Sequence, residues 1–152
     1  MRVMLRLIAA CLAGLIAGSL VNGGILKLAT VLLPAPVGVD MHSMAGLQAA
    51  LPTLPAVHFV APWLAHAGGT LAGAWLASRL LPPGQWTGAL LVGLLFLAGG
   101  SMMVWQLPAP RWFELSDLLL AYLPMAALGH WLAQQRRLRT GESGQGRQSQ
   151  QP

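Results

Sequence analysis

Charge is what this chain has least of. Its 152 residues include nine Lys and Arg and four Asp and Glu, and none of these lies between Arg6 and Lys27, Asp40 and Arg79, Arg79 and Arg111, or Asp117 and Arg136. Each window holds about 20 residues of helix, the length that crosses a hydrocarbon core of roughly 30 Å. At 55% hydrophobic and 9% charged residues, with a mean hydropathy of +0.61, the chain has too little polar surface to cover a soluble globule. The reading is therefore an all-α, polytopic membrane protein with four transmembrane helices, at about 3–32, 56–81, 86–107 and 113–135. These form one domain over residues 1–135, followed by a basic tail over 136–152 whose Gly, Ser and Gln content predicts disorder.

Other absences exclude functions. Cys11 is the only cysteine, so no intrachain disulfide forms, and it reads as a small packing residue in the first helix. The Gly-x-Ser-x-Gly of a serine nucleophile, a phosphate-cradling glycine loop and His-Glu-x-x-His are all missing. Two acids facing each other from different helices, as an intramembrane aspartyl enzyme needs, are not apparent either. His58 and His66 are about 12 Å apart along an ideal helix, too far to share an ion, and His130 reads as an interfacial residue. No metal, haem or other cofactor is expected, no catalytic residue is assigned, and the protein is not read as an enzyme. Arginines at span ends, without interleaved aromatics, also argue against a nucleic-acid partner.

The basic residues that are present orient the chain. With the N-terminus cytoplasmic, Arg2, Arg6, Arg79, Arg136, Arg137, Arg139 and Arg147 lie inside and only Lys27 and Arg111 outside. Seven against two is the positive-inside bias, so both termini are placed in the cytoplasm. Arg2 and Arg6 before Leu7 to Ala17 imitate a signal peptide, with Ala17-Gly18-Ser19 as a cleavage site, but the segment is read as the first crossing.

Span one is longer than a straight crossing requires, which implies tilt, a break at Asn22-Gly23-Gly24, or a last turn outside the bilayer. Gly14, Gly18 and Asn22, spaced by four, put two small residues and an amide on one face, where a neighbouring helix approaches closely. In the first outer loop, Met41 to Leu51 predicts a short surface helix capped by Asp40 or Ser43. In span two, His58, Pro62, Ala65, His66, Gly69, Gly73 and Ala77 share a sector of roughly 120°, with Val60, Leu64, Ala67, Leu71 and Trp75 opposite. Pro62 predicts a kink and a free carbonyl at His58. Span three has no ionisable group and reads as a structural wall. Span four opens with Glu114 and Asp117, first-turn acids with a local explanation in the helix dipole.

Counting depth from the outer ends at 1.5 Å per residue puts His66 and Asn22 roughly 15 Å deep, with His58, Asp117, Glu114 and Lys27 nearer the surface. Polar groups at such depth are functional candidates unless they serve as interhelical hydrogen-bonding glue. The candidate ligand or polar-site residues are His58, His66, Asn22, Asp117 and Glu114.

The runs Pro34-Ala-Pro-Val-Gly-Val-Asp40, His58-Phe-Val-Ala-Pro-Trp-Leu-Ala-His-Ala-Gly-Gly-Thr-Leu-Ala-Gly-Ala74, Leu107-Pro-Ala-Pro-Arg-Trp-Phe113 and Leu120-Ala-Tyr-Leu-Pro-Met-Ala126 resemble a group of small, uncharacterised four-span bacterial inner-membrane proteins. The likeness covers most of positions 3–133. It implies the architecture and a place in the inner (cytoplasmic) membrane, and it implies no mechanism. Three roles follow in order. The first is a helper or interaction subunit, with the lipid bilayer and a membrane-protein partner or a second copy as its contacts. The second is a small oligomeric transporter or channel. The third is a membrane enzyme with an outer-leaflet His/Asp site. A helper leaves Gly14, Gly18, Gly93 or Gly99 facing lipid until its partner arrives; an enzyme brings His58 within reach of Asp117 or Glu114.

Overall fold

Glycine sets how closely the long helices approach. The computed structural model describes the backbone of residues 1–41 and 43–148, and side chains among them through Gln135. In it, α1 (Arg2–Leu32) and α3 (Val60–Leu80) run antiparallel, with Gly14 against Gly73 and Gly18 against Gly69. A Cβ on Gly14 or Gly73 would lie 2.6 Å from the other residue's carbonyl oxygen; on Gly18 and Gly69 the distances would be 2.6 and 2.7 Å. Only hydrogen fits there, so the two backbones touch. The Gly14, Gly18 and Asn22 face read from the sequence is the face that α3 covers.

Between them lie α2 (Met44–Ala50) and two 3-10 turns, Leu51–Thr53 and Ala56–Phe59; after α3 come α4 (Thr87–Gln106), α5 (Arg111–Leu120) and α6 (Leu123–Gln148). The fold is all-helical, with no strand among the described residues. Helix α3 is its centre. Its second face meets α6, where a Cβ on Gly129 would lie 2.6 Å from the Leu71 carbonyl oxygen and 3.0 Å from the Trp75 nitrogen. Ala74, Ala77, Ala89, Val92 and Ala126 join α3, α4 and α6 in one buried cluster.

This centrality corrects the count of apolar spans. Three segments, not four, are long and apolar enough to cross a membrane: Arg2–Leu32, Thr87–Gln106 and Arg111–Gln135. Helix α3 has the length but is the less apolar, because protein surrounds it. Its buried positions are Ala65, Ala67, Gly69, Thr70, Gly73, Ala74, Ala77 and Ser78, small side chains that carry little hydropathy. The lipid-like residues stand outside, with Leu20, Val31, Leu32 and Trp105 all more than two-thirds exposed.

Local expectations are revised in five places. Helix α1 is continuous through Asn22-Gly23-Gly24. Pro62 falls in the first turn of α3, where its missing N–H has no carbonyl to serve, and the 3-10 turn Ala56–Phe59 takes the place of the expected kink. Span four is interrupted: α5 closes with Ala121 N–H on the Asp117 carbonyl at 2.9 Å, and α6 opens with Ala126 N–H on that of Tyr122 at 2.8 Å. Pro124, unable to donate to Leu120, breaks the helix there. His130 is buried rather than interfacial, 3.0 Å from Ser78 Oγ through Nδ1 and with its ring 4.0 Å from that of Trp86. Helix α6 continues to Gln148, past the expected start of the tail at Arg136; the disorder expected of the tail's last four residues, 149–152, lies outside the described residues.

The two ends of the bundle close differently. Arg6 Nε donates to the Leu80 carbonyl at 2.9 Å, tying the start of α1 to the end of α3. At the opposite end α2 lies as a roof. Ser43 caps it, Oγ accepting from Gly46 N–H at 3.0 Å, with Asp40 bonded in turn to the Ser43 hydroxyl. Gln48 Nε2 fastens the roof to the Gln106 carbonyl at the end of α4, at 3.0 Å.

Candidate functional site

Under that roof the helices do not meet. Buried positions of α1 stop at Gly18, Asn22 and Ile25 still meet Gly69 and Gly68 of α3, and from Leu26 onwards the helix is one wall of a cavity of about 490 Å³. The space is within the ~300–1,000 Å³ of ordinary small-molecule sites. Leu26, Ala29, Thr30 and Leu33 of α1 face it; Met41, Leu47, Leu51 and Leu54 come from the roof segment, and Met103, Val104 and Leu107 from α4. Polar side chains are few: Thr30, His58, His66 and Asp117. Thr30 is already engaged, its Oγ1 donating to the Lys27 carbonyl at 2.8 Å.

One end of this cavity is a hydrogen-bonded cluster. His66 Nδ1 lies 2.9 Å from both carboxylate oxygens of Asp117, and Tyr122 Oη donates to Asp117 Oδ2 at 2.9 Å. Asp117 and Tyr122 are fully buried, while His66 keeps a quarter of its side chain exposed. The Tyr122 ring stacks beside the imidazole, 5.8 Å between centroids at 27°. With Asp117 as a carboxylate and His66 as a neutral ring, Nδ1 carries the proton of the His66–Asp117 bond and Nε2 is left as an acceptor.

Each member is placed by a local feature. The turn at Ala121–Tyr122 swings the tyrosine inward. Gly100 makes the room for it, since a Cβ there would collide with the phenol oxygen and with Cζ at 2.5 Å. Asp117 is not a first-turn acid: α5 begins at Arg111, so Glu114 is in the first turn and Asp117 one turn further, beyond the reach of the terminal dipole. His66 is held in α3, where Thr70 Oγ1 caps its carbonyl at 2.8 Å.

The five candidates therefore separate. His66 and Asp117 come together, and the two expected depth tiers merge there. His58 lines the same cavity, but the partner of Asp117 is His66. Asn22 packs on the α1–α3 seam, its Cβ 3.0 Å from where a Gly69 Cβ would be. Glu114 is half-buried and does not line the cavity. Tyr122 and Gly100 were missed as site residues; the only hint of Tyr122 was that it is the one tyrosine, two residues before a proline inside an apolar span. Among the described residues no three His, Cys, Asp or Glu side chains converge as metal ligands.

Gly100→Ala tests this construction. The new methyl group displaces the Tyr122 hydroxyl from Asp117, and a loss of about 2 kcal/mol is expected from unfolding in mild detergent. The loss should be smaller in a Tyr122→Phe background, where no hydroxyl is left to displace. Additive losses would place Tyr122 elsewhere.

No protein family, curated protein or solved structure matches this chain.

Proposed function

We propose that this protein is a four-crossing membrane protein of the bacterial inner membrane, with both termini cytoplasmic, akin to the small four-span group it resembles, and that it binds a small apolar molecule in the roofed cavity. The single observation that carries the binding reading is the cavity itself. A space of about 490 Å³ lined mainly by aliphatic side chains holds water poorly, because a buried water needs two to four polar partners.

The fourth crossing rests on direction. Helices α1 and α4 both run from the Arg6–Leu80 end towards the roof, where Gln48 reaches Gln106, so the chain has to return between them through α3. At 21 residues α3 is about 31 Å long, a full crossing. Single cysteines labelled in intact cells test the topology: Gln48→Cys should react from outside and Gln85→Cys only after permeabilisation. The reverse pattern inverts the orientation.

The helper reading loses most of its support, since Gly14, Gly18 and Gly93 are buried inside the chain's own bundle. What favours a helix partner or a second copy is narrower: a Cβ on Gly23, Gly24 or Gly99 would meet nothing within 4 Å. Transport is supported less, because polar lining ends at the His66–Asp117 cluster and below it α3 buries Ala and Gly with only Thr70 and Ser78 among them, whose hydroxyls are bonded to the His66 carbonyl and to His130.

Binding of octylbenzene to the purified full chain, followed by calorimetry in mild detergent, tests the cavity reading. Saturable binding is expected, lost when Ala61→Phe fills the space. Absence of binding by the wild type would sink it.

A further inference from the structure

We infer that the cavity takes a bilayer-dissolved amphiphile with an uncharged hydroxyl head, a phenol or an alcohol, whose oxygen donates to His66 Nε2 and whose hydrocarbon tail leaves between α1 and the start of α3. The inference rests on the cavity-binding reading and specifies the occupant.

The head group follows from the cluster. Asp117 as a carboxylate accepts from both His66 Nδ1 and Tyr122 Oη, so each of its oxygens already has a donor beside it, and a neutral imidazole fits there with its proton on Nδ1. Thr30 is engaged with its own helix. The remaining polar atom of His66 is Nε2, an acceptor on the neutral ring, and the side chain lines the cavity with a quarter of its surface exposed. A hydroxyl satisfies it with one hydrogen bond; an ether or ketone leaves two acceptors facing each other. A charged head would have to be desolvated among leucine, methionine and valine side chains, which the neutral hydroxyl avoids.

The tail follows from the wall. A second, shallower hollow of about 290 Å³ lies against the cavity and shares Ala29, Leu33 and Ala61 with it. Its other lining residues are aliphatic side chains of α1 and of the 56–64 segment, among them Leu28, Leu32, Val60 and Leu64, which are substantially exposed. Two of the three shared residues are alanines, so the partition between the hollows is thin. On a membrane-spanning bundle that surface faces acyl chains, and an amphiphile reaches the cavity sideways from the bilayer without crossing water.

The test is a ranking of three ligands of nearly equal shape on the full-length protein in mild detergent: 4-octylphenol, its methyl ether 4-octylanisole, and octylbenzene. The phenol should bind about tenfold tighter than either of the others, the scale of one buried hydrogen bond gained against an unpaired acceptor. Asp117→Asn presents an amide N–H₂ to Nδ1 and turns Nε2 into a donor, to which the phenol and the ether oxygen can both accept, so the phenol's advantage over the anisole should disappear. A merely structural role for Asp117 would weaken all three ligands together and preserve their order. His66→Phe should equalise the three. Equal binding of all three by the wild type, or preference for the anisole, overturns the hydroxyl assignment and leaves the cavity reading standing. Failure of all three to bind overturns both. The wild-type ranking needs no variant to fold.

Discussion

Asp117→Ala is expected to destabilise the protein by about 3 kcal/mol, while Glu114→Ala, three residues away on the same helix, costs no more than about 1 kcal/mol. Asp117 is buried and receives two hydrogen bonds, one from His66 on α3 and one from Tyr122 in the turn between α5 and α6. Its removal orphans the His66 Nδ1 proton and the Tyr122 hydroxyl in an interior that offers no substitute, at about 1–3 kcal/mol for each buried unsatisfied group. Glu114 loses only its favourable place in the first turn of α5. Unfolding in a denaturing detergent gradient measures both. Tyr122→Phe by itself should cost about 1 kcal/mol, and markedly less in the Asp117→Ala background, because the acceptor is already gone. Equal losses for Asp117→Ala and Glu114→Ala would mean that the cluster does not hold the bundle together.

The second large effect belongs to the α1–α3 seam. Gly73→Ala is expected to cost about 2 kcal/mol or more, and Gly23→Ala and Gly24→Ala to be neutral or stabilising by up to about 1 kcal/mol. All three are helical glycines, and helix propensity alone favours alanine at each. What separates them is the space outside the helix. The new methyl group at position 73 points at the Gly14 carbonyl from 2.6 Å, and backbone cannot step aside as a flexible side chain does. The helices must part, which opens the contact at Gly18–Gly69 as well. For the same reason Gly14→Ala combined with Gly73→Ala should cost less than the two singly: once the seam has opened, the second methyl group enters space already made. Melting temperatures of the five variants in one detergent settle the comparison; a destabilised Gly23→Ala would move the seam further along α1.

Local pattern revealed the two interacting faces of α1 and α3 because small residues repeat at the helical period on both, and spacing by four survives in any fold that keeps the helices intact. It failed at Asp117 for a reason of two residues. Reading the helix start at Phe113 instead of Arg111 brings Asp117 to the edge of the first turn and supplies a local cause, so its long-range one went unseen. The pairing of His66, rather than His58, with Asp117 was equally hidden. It depends on how far α5 descends before Pro124 turns the chain, and residue counting from assumed surfaces carries an error of a turn or more. His130 misled in the opposite way: a histidine near a span end has a ready interfacial explanation, and only the packing of α3 on α6 shows Ser78 waiting opposite it.

By itself the sequence determined that the chain is helical, that it carries long apolar spans suited to a bilayer, and that small residues mark where the helices touch. These are properties of composition and period, and each helix expresses them alone. Only the tertiary structure decided that α3 is wrapped by protein, that α1 becomes a cavity wall from Leu26 onwards, and that His66, Asp117 and Tyr122 meet beside that space. Those outcomes depend on register and on the breaks between helices. A shift of one turn moves a side chain about 5.4 Å along its helix, more than the length of a hydrogen bond.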